Sequence, residues 1–160
     1  MVFSSIIFMF TFLPIILVTY YLSPRKLRNF ILLLGSLVFY AWGEPVYIIL
    51  MILTIVINYV LALLIKKQKG RRKKCIFILT LVLNVGMLGV FKYYDFIVGN
   101  INSIFSLDIQ YNNLSLPIGI SFYTFQTISY IVDVYLKKVE VQKNIISFAT
   151  YISMFPQLVA

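Results

Sequence analysis

Along an otherwise apolar run between residues 116 and 137, six residues that break the pattern fall at helical spacing. Gly119, Tyr123, Gln126, Tyr130, Asp133 and Lys137 stand at i, i+4, i+7, i+11, i+14 and i+18, a progression that holds one stripe of a helix. An amide and a carboxylate turned toward hydrocarbon are costly, so the stripe must face other protein or a water-filled path. Tyr123, Gln126, Tyr130 and Asp133 are the candidate lining residues of such a path. The chain offers no complete catalytic set to go with them. It has no histidine and one cysteine, Cys75, so no Ser/His or Cys/His pair can be assembled. Ser121 lacks a base, and neither an internal disulfide nor a cysteine-built metal site is possible. No catalytic residue and no metal ligand is assigned.

The elements that must position the stripe are membrane elements. Of 160 residues, 61% are apolar or aromatic and 12% charged, with a mean hydropathy of +0.95; soluble domains carry about 25% charged residues. Several apolar runs reach the ~20 residues that cross a bilayer. The net charge of +9 does not point to nucleic acid, because the basic residues cluster between apolar runs.

The fold class expected is all-α: a polytopic membrane helix bundle of about five spans, one interfacial helix and one short re-entrant-type helix, all within one domain. The spans are placed at 2–22, 30–41, 46–65, 75–91 and 116–136. Pro14 predicts a kink in the first. Tyr40 and Trp42 read as interface aromatics at the end of the second. Asn84, Gly86 and Gly89 read as facing neighbouring helices. The connector after 91 places Phe96, Ile97, Ile101, Ile104 and Phe105 on one side, which predicts a helix lying along the interface, and residues 110–113 read as a turn. Residues 144–155 are too few to cross, so a half-helix turning at Pro156-Gln157 is expected.

Thirteen of the fourteen Lys and Arg follow the first, third and fifth spans, and only Lys92 lies on the other side. The positive-inside rule then puts the amino terminus outside. Residues 66–74 hold seven of these basic residues. They read as a topology signal, with anionic lipid headgroups or the phosphate part of a donor as possible ligands.

Leu116-Pro117-Ile118-Gly119-Ile120-Ser121-Phe122-Tyr123-Thr124-Phe125-Gln126 with Asp133-Val134-Tyr135 resembles a signature of the membrane-bound O-acyltransferase superfamily. The branch it resembles contains the alginate O-acetyltransferases and the D-alanyl transferases of teichoic acid. The run from Phe148 to Ala160 is similar to that branch's next motif, and Phe39–Pro45 and Phe91–Phe96 to its earlier landmarks. The resemblance implies a multi-pass enzyme of the bacterial cytoplasmic membrane. Its function would be transfer of an acyl group, acetyl first, from a cytoplasmic donor to hydroxyls of an extracytoplasmic polysaccharide. It implies acetyl-CoA or an acyl carrier as substrate, no bound cofactor, and accessory secreted or periplasmic acylation proteins as partners beside the lipid bilayer. It also implies a histidine base in a later half, so that these residues are about the first third of the enzyme and inactive alone. The striped face is then expected to stay exposed where later helices would cover it.

Two other readings remain within reach of these residues: D-alanyl transfer to teichoic acid, or a non-catalytic membrane scaffold subunit. A transporter-like bundle would show a second half-helix pattern, and none is visible.

Overall fold

The structure, a computed structural model, describes residues 6–105 and 116–158. Seven helices and no strand are found among them. The turn expected at 110–113 lies outside the described residues.

Helix α1, Phe8–Leu22, opens with a π-turn over Phe8–Phe12, in which the Leu13 N–H bonds the Phe8 carbonyl. Pro14 explains it: without an N–H, and with a ring that crowds the carbonyl four residues back, it cannot continue an α-ladder, and the wider turn absorbs the misfit. Helix α2, Arg28–Gly43, follows a tight turn in which Arg28 sits 5.3 Å from the centre of the Tyr20 ring. Gly35 lies against Ile16 of α1, and a Cβ there would push the end of that side chain aside. Helix α3 is Tyr47–Lys67 and helix α4 is Gly70–Phe105.

Among the described residues two helices are long and apolar enough to cross a bilayer, Tyr47–Lys67 and, within α4, Gly70–Tyr94; Phe8–Leu22 and Arg28–Gly43 are apolar but shorter. The separate interfacial helix expected after residue 91 is not separate. The backbone runs through Lys92 as one helix of 36 residues, since nothing in Phe91–Phe96 breaks a helix: neither Gly nor Pro occurs there. Gly86 and Gly89 also differ from expectation. They meet no neighbour and instead line an open apolar groove of about 480 Å³ with Val90, Tyr93, Phe96 and Ile97. Asn84, by contrast, does face a neighbour.

Helix α5, Ile120–Tyr135, is shorter than the expected span; at ~1.5 Å per residue its 16 residues reach only ~24 Å. Gly119 precedes it at φ 75°, ψ 3°, with the Ile120 N–H bonded to the Pro117 carbonyl at 3.2 Å. That is a type II turn, whose third residue must accept positive φ. At the other end Lys137 takes φ 60°. Its N–H bonds Val134 O at 3.2 Å and the Lys138 N–H bonds Asp133 O at 2.9 Å, a Schellman stop with lysine where glycine is usual. Helix α6, Ile145–Ser153, is capped by Asn144, whose side chain accepts from the Ile146 N–H at 2.9 Å. The chain breaks at Met154, two residues before the Pro156 predicted to turn it. Pro156 sits in the first turn of α7, Phe155–Leu158, where its missing N–H costs nothing.

The core has three parts. Tyr40, Met51, Ile55, Ile120, Tyr123, Phe148, Ala149 and Ile152 join α2, α3, α5 and α6. Ala62, Ile65, Ile131, Val134 and Val141 join α3 and α5. Phe8, Phe12, Phe39 and Phe155 form an aromatic cluster, with centroids 5.1 to 6.0 Å apart. Tyr40, expected at the interface, is buried in the first of these, while Trp42 is exposed.

Between α3 and α4 lies a buried polar pair. Asn58 and Asn84 exchange hydrogen bonds of 3.1 and 2.7 Å, and each amide also donates to its own helix, at Thr54 O and Thr80 O. Both side chains are buried, so removing one strands the other. Asn58→Leu or Asn84→Leu alone should each cost about 1–2 kcal/mol, read from reversible unfolding in mixed micelles. The double variant should lose clearly less than the sum of the two; additive losses would show that the pair is not coupled.

Candidate functional site

The structure shortens the stripe and divides its members. Gly119 belongs to the turn before α5, and Lys137 leaves helical register at the Schellman stop, so neither stands on the helical face. The four lining candidates remain on α5, in different surroundings.

Tyr123 is fully buried in the core beside Tyr40. Its hydroxyl, the Tyr40 hydroxyl and Thr124 Oγ1 have no hydrogen-bond partner among the described residues. Gln126 is half-buried and its Nε2 donates to the Tyr151 carbonyl of α6 at 2.7 Å. The Tyr130 hydroxyl accepts the Gln142 N–H at 2.9 Å; its ring lies 5.1 Å from Phe148 and 6.3 Å from Tyr151. Asp133 is half-buried. The pairing of Asp133 with Lys137 that helical spacing suggests is not made, because Lys137 no longer lies one turn on. The striped face is therefore uncovered only in part: α6 and the segment after α5 close over it.

Tyr130 and Asp133 share a cleft of about 320 Å³ with Val139, Glu140, Gln142, Ser147, Phe148 and Tyr151. Tyr123 and Gln126 do not line it. The cleft owes its existence to α6, which runs alongside α2. Asn29 Nδ2 donates to Ser147 Oγ at 3.1 Å, Thr150 Oγ1 donates to the Asn29 carbonyl at 2.9 Å, and the Phe155 N–H donates to Ser36 Oγ at 3.3 Å. Tyr59 of α3 donates to the Lys143 carbonyl, which fixes the entry to α6. These contacts hold Ser147, Phe148 and Tyr151 opposite α5.

Chemically the cleft offers two carboxyl groups, phenol and serine hydroxyls and an amide around aromatic faces. Such a surface hydrogen-bonds a hydroxyl-rich or amide-bearing ligand and disfavours a phosphate, whose charge the carboxylates repel. It holds no imidazole to act as general base, histidine being absent from the chain.

Reading the sequence missed Ser147, Gln142, Glu140 and Tyr151 as cleft residues. One signal was present: Ser147, Thr150 and Ser153 recur every third residue, and the first two mark the face that α6 turns to α2. Nothing in the residue pattern indicated that the segment from 136 to 144 folds back against Tyr130.

A bundle of apolar helices, with its polar side chains turned to one another and to a cleft, defines an integral membrane protein. No family model matches the chain, and no solved structure matches it. Curated proteins do. A probable alginate O-acetylase of Pseudomonas aeruginosa is 43% identical over 166 aligned positions, which take in 100% of this chain and 32% of that protein. Its counterpart in Azotobacter vinelandii is 42% identical, covered to 33%. A peptidoglycan O-acetyltransferase of Helicobacter pylori is 32% identical, covered to 36%. Along its whole length the chain is similar to these bacterial O-acetylases, and it spans about a third of the length of the curated relatives it matches.

Tyr130 tests how the cleft is held. Tyr130→Phe removes only the acceptor for Gln142 and should cost about 1 kcal/mol or less. Tyr130→Ala also removes the ring packed on Phe148 and should cost about 3 kcal/mol. Thermal unfolding in detergent reads the difference; equal losses would mean that the hydroxyl, not the ring, carries the contact.

Proposed function

We propose that these residues form part of a membrane O-acyltransferase that transfers an acetyl group from a cytoplasmic donor, acetyl-CoA or an acyl carrier, to hydroxyls of an extracytoplasmic polysaccharide. The observation that carries this reading is similarity along the whole chain to proteins named for O-acetylation of alginate and of peptidoglycan. Both acceptors are glycans, which makes a glycan hydroxyl the shared element. Accessory extracytoplasmic proteins complete the proposed pathway.

In this reading α1, α2, α3, the first part of α4 and α5 cross the bacterial cytoplasmic membrane, with the amino terminus outside. α6 enters beside Asn29, in the first turn of α2, and ends beside Ser36, at its middle. A helix that stops halfway along a spanning neighbour is supported at membrane depth only where protein surrounds it, and α6 is largely buried. Tyr123, Gln126, Tyr130 and Asp133 line the inner path: Tyr130 and Asp133 at the cleft, Tyr123 and Gln126 further toward the outer end. Their part is to bind and orient, through hydrogen bonds to donor or acceptor. Proton removal from the attacking hydroxyl is left to a base these residues do not contain.

Two measurements test this. Cys75, exposed near the start of α4, should react with a membrane-impermeant maleimide only from the cytoplasmic side, whereas a cysteine placed at Trp42 in a Cys75→Ser background should react only from outside. The same sidedness for both would overturn the topology. Separately, the 160-residue chain in proteoliposomes should transfer no label from radiolabelled acetyl-CoA to alginate above a heat-inactivated control. Transfer above that control would show that a base other than histidine suffices.

A further inference from the structure

Five lysines from two distant parts of the chain meet around a single cavity. Lys66, Lys69 and Lys73 come from the end of α3 and the start of α4, and Lys137 and Lys138 from the stop of α5. Together they line a half-open space of about 1030 Å³ in which Glu140 is the one carboxylate. Sequence alone shows the first group as a run of charge; it does not show that the second closes over it.

We propose that this cavity holds the phosphate headgroup of an anionic phospholipid. One wall is built rather than loosely solvated. Lys73 Nζ donates to the Tyr135 carbonyl at 2.7 Å and stands 4.7 Å from the centre of the Tyr135 ring, which stacks on Phe77 at 4.1 Å. Lys137 occupies a left-handed backbone position that costs a lysine about 1 kcal/mol or more, and carries a charge there. The ends of α3 and α5 need some positive charge to balance their carbonyl termini, but five lysines exceed that need.

The rim decides between a lipid and a soluble phosphate. Leu136 and Val139 are exposed beside the lysines, so one amphiphile covers the apolar rim with its chains and the cationic floor with its headgroup. Basic pockets between membrane helices at the cytoplasmic surface bind such headgroups. The cleft at Tyr130 and Asp133, across the same segment, lacks lysine and is unsuited to a phosphate. The inference rests on these helix ends lying at a bilayer surface; it does not depend on acyl transfer.

The test is a titration of the detergent-solubilised chain with fluorescent phosphatidylglycerol against fluorescent phosphatidylcholine. Phosphatidylglycerol should bind more tightly, and the triple variant Lys69→Gln, Lys137→Asn, Lys138→Gln should lose that preference by about tenfold or more. Asparagine is chosen at 137 because it tolerates the left-handed turn. Should the triple variant fail to fold by circular dichroism, Lys69→Gln with Lys138→Gln, both exposed, should lose a smaller part of the preference. The control Arg25→Gln, Lys26→Gln, away from the cavity, should keep it. Equal binding of the two lipids, or equal loss in the control, would overturn the proposal. Displacement of phosphatidylglycerol by millimolar adenosine diphosphate would assign the cavity to a soluble phosphate and overturn it as well.

Discussion

Everything at the cleft depends on how a nine-residue helix is held inside a bundle. A helix leaves four N–H groups and four carbonyls unpaired at its ends, and in an apolar interior each needs a partner. α6 finds one for the Ile146 N–H in Asn144 and one for the Tyr151 carbonyl in Gln126. Asn144 caps its start, and Ser36 accepts the N–H of Phe155 just beyond its end. Thr150 ties its middle to the Asn29 carbonyl. With α6 seated on α2, the Tyr151 carbonyl is available to Gln126 and the Phe148 ring to Tyr130. Without that seat the polar face of α5 would have no opposing wall.

The same rule governs the rest of the interior. Asn58 and Asn84 satisfy each other, and Thr54, Thr80 and Thr127 each return a hydrogen bond to the carbonyl four residues back. Against this background the hydroxyls of Tyr40, Tyr123 and Thr124 stand apart as buried groups without a partner among the described residues. Tyr40 of α2 and Tyr123 of α5 share one core cluster, and none of the three lines the cleft.

How far this was legible in the sequence follows from which forces are local. The polar spacing along α5 identified Tyr123, Gln126, Tyr130 and Asp133 as residues of one face, because helical periodicity depends only on neighbours in the chain. It failed at both ends, where Gly119 and Lys137 leave the helix. Pro117-Ile118-Gly119 carries a turn signal strong enough to have been read, whereas a lysine at positive φ carries none. The break expected at Lys92 did not occur, since a charge alone does not interrupt a backbone ladder. Tyr40 looked like an interface aromatic beside Trp42, and only the packing of α2 on α5 and α6 separates the two. The lining contributed by Glu140, Gln142, Ser147 and Tyr151 depends on a fold-back that composition does not encode.

That fold-back also explains how one short connection serves two surfaces of opposite character. From Leu136 to Lys143 the chain leaves α5 through the Schellman turn, crosses in front of Tyr130, and enters α6 at the Tyr59 contact. Val139 and Glu140 border both cavities. On one side lie lysines, and on the other hydroxyls and carboxylates, with the left-handed turn at Lys137 directing the split. A helix continuing straight through 137 would have carried Lys137 back under Asp133, one turn on, and merged the two environments into an ion pair. Stopping α5 there keeps the acid unpaired at the cleft and the base free for the cavity beside it.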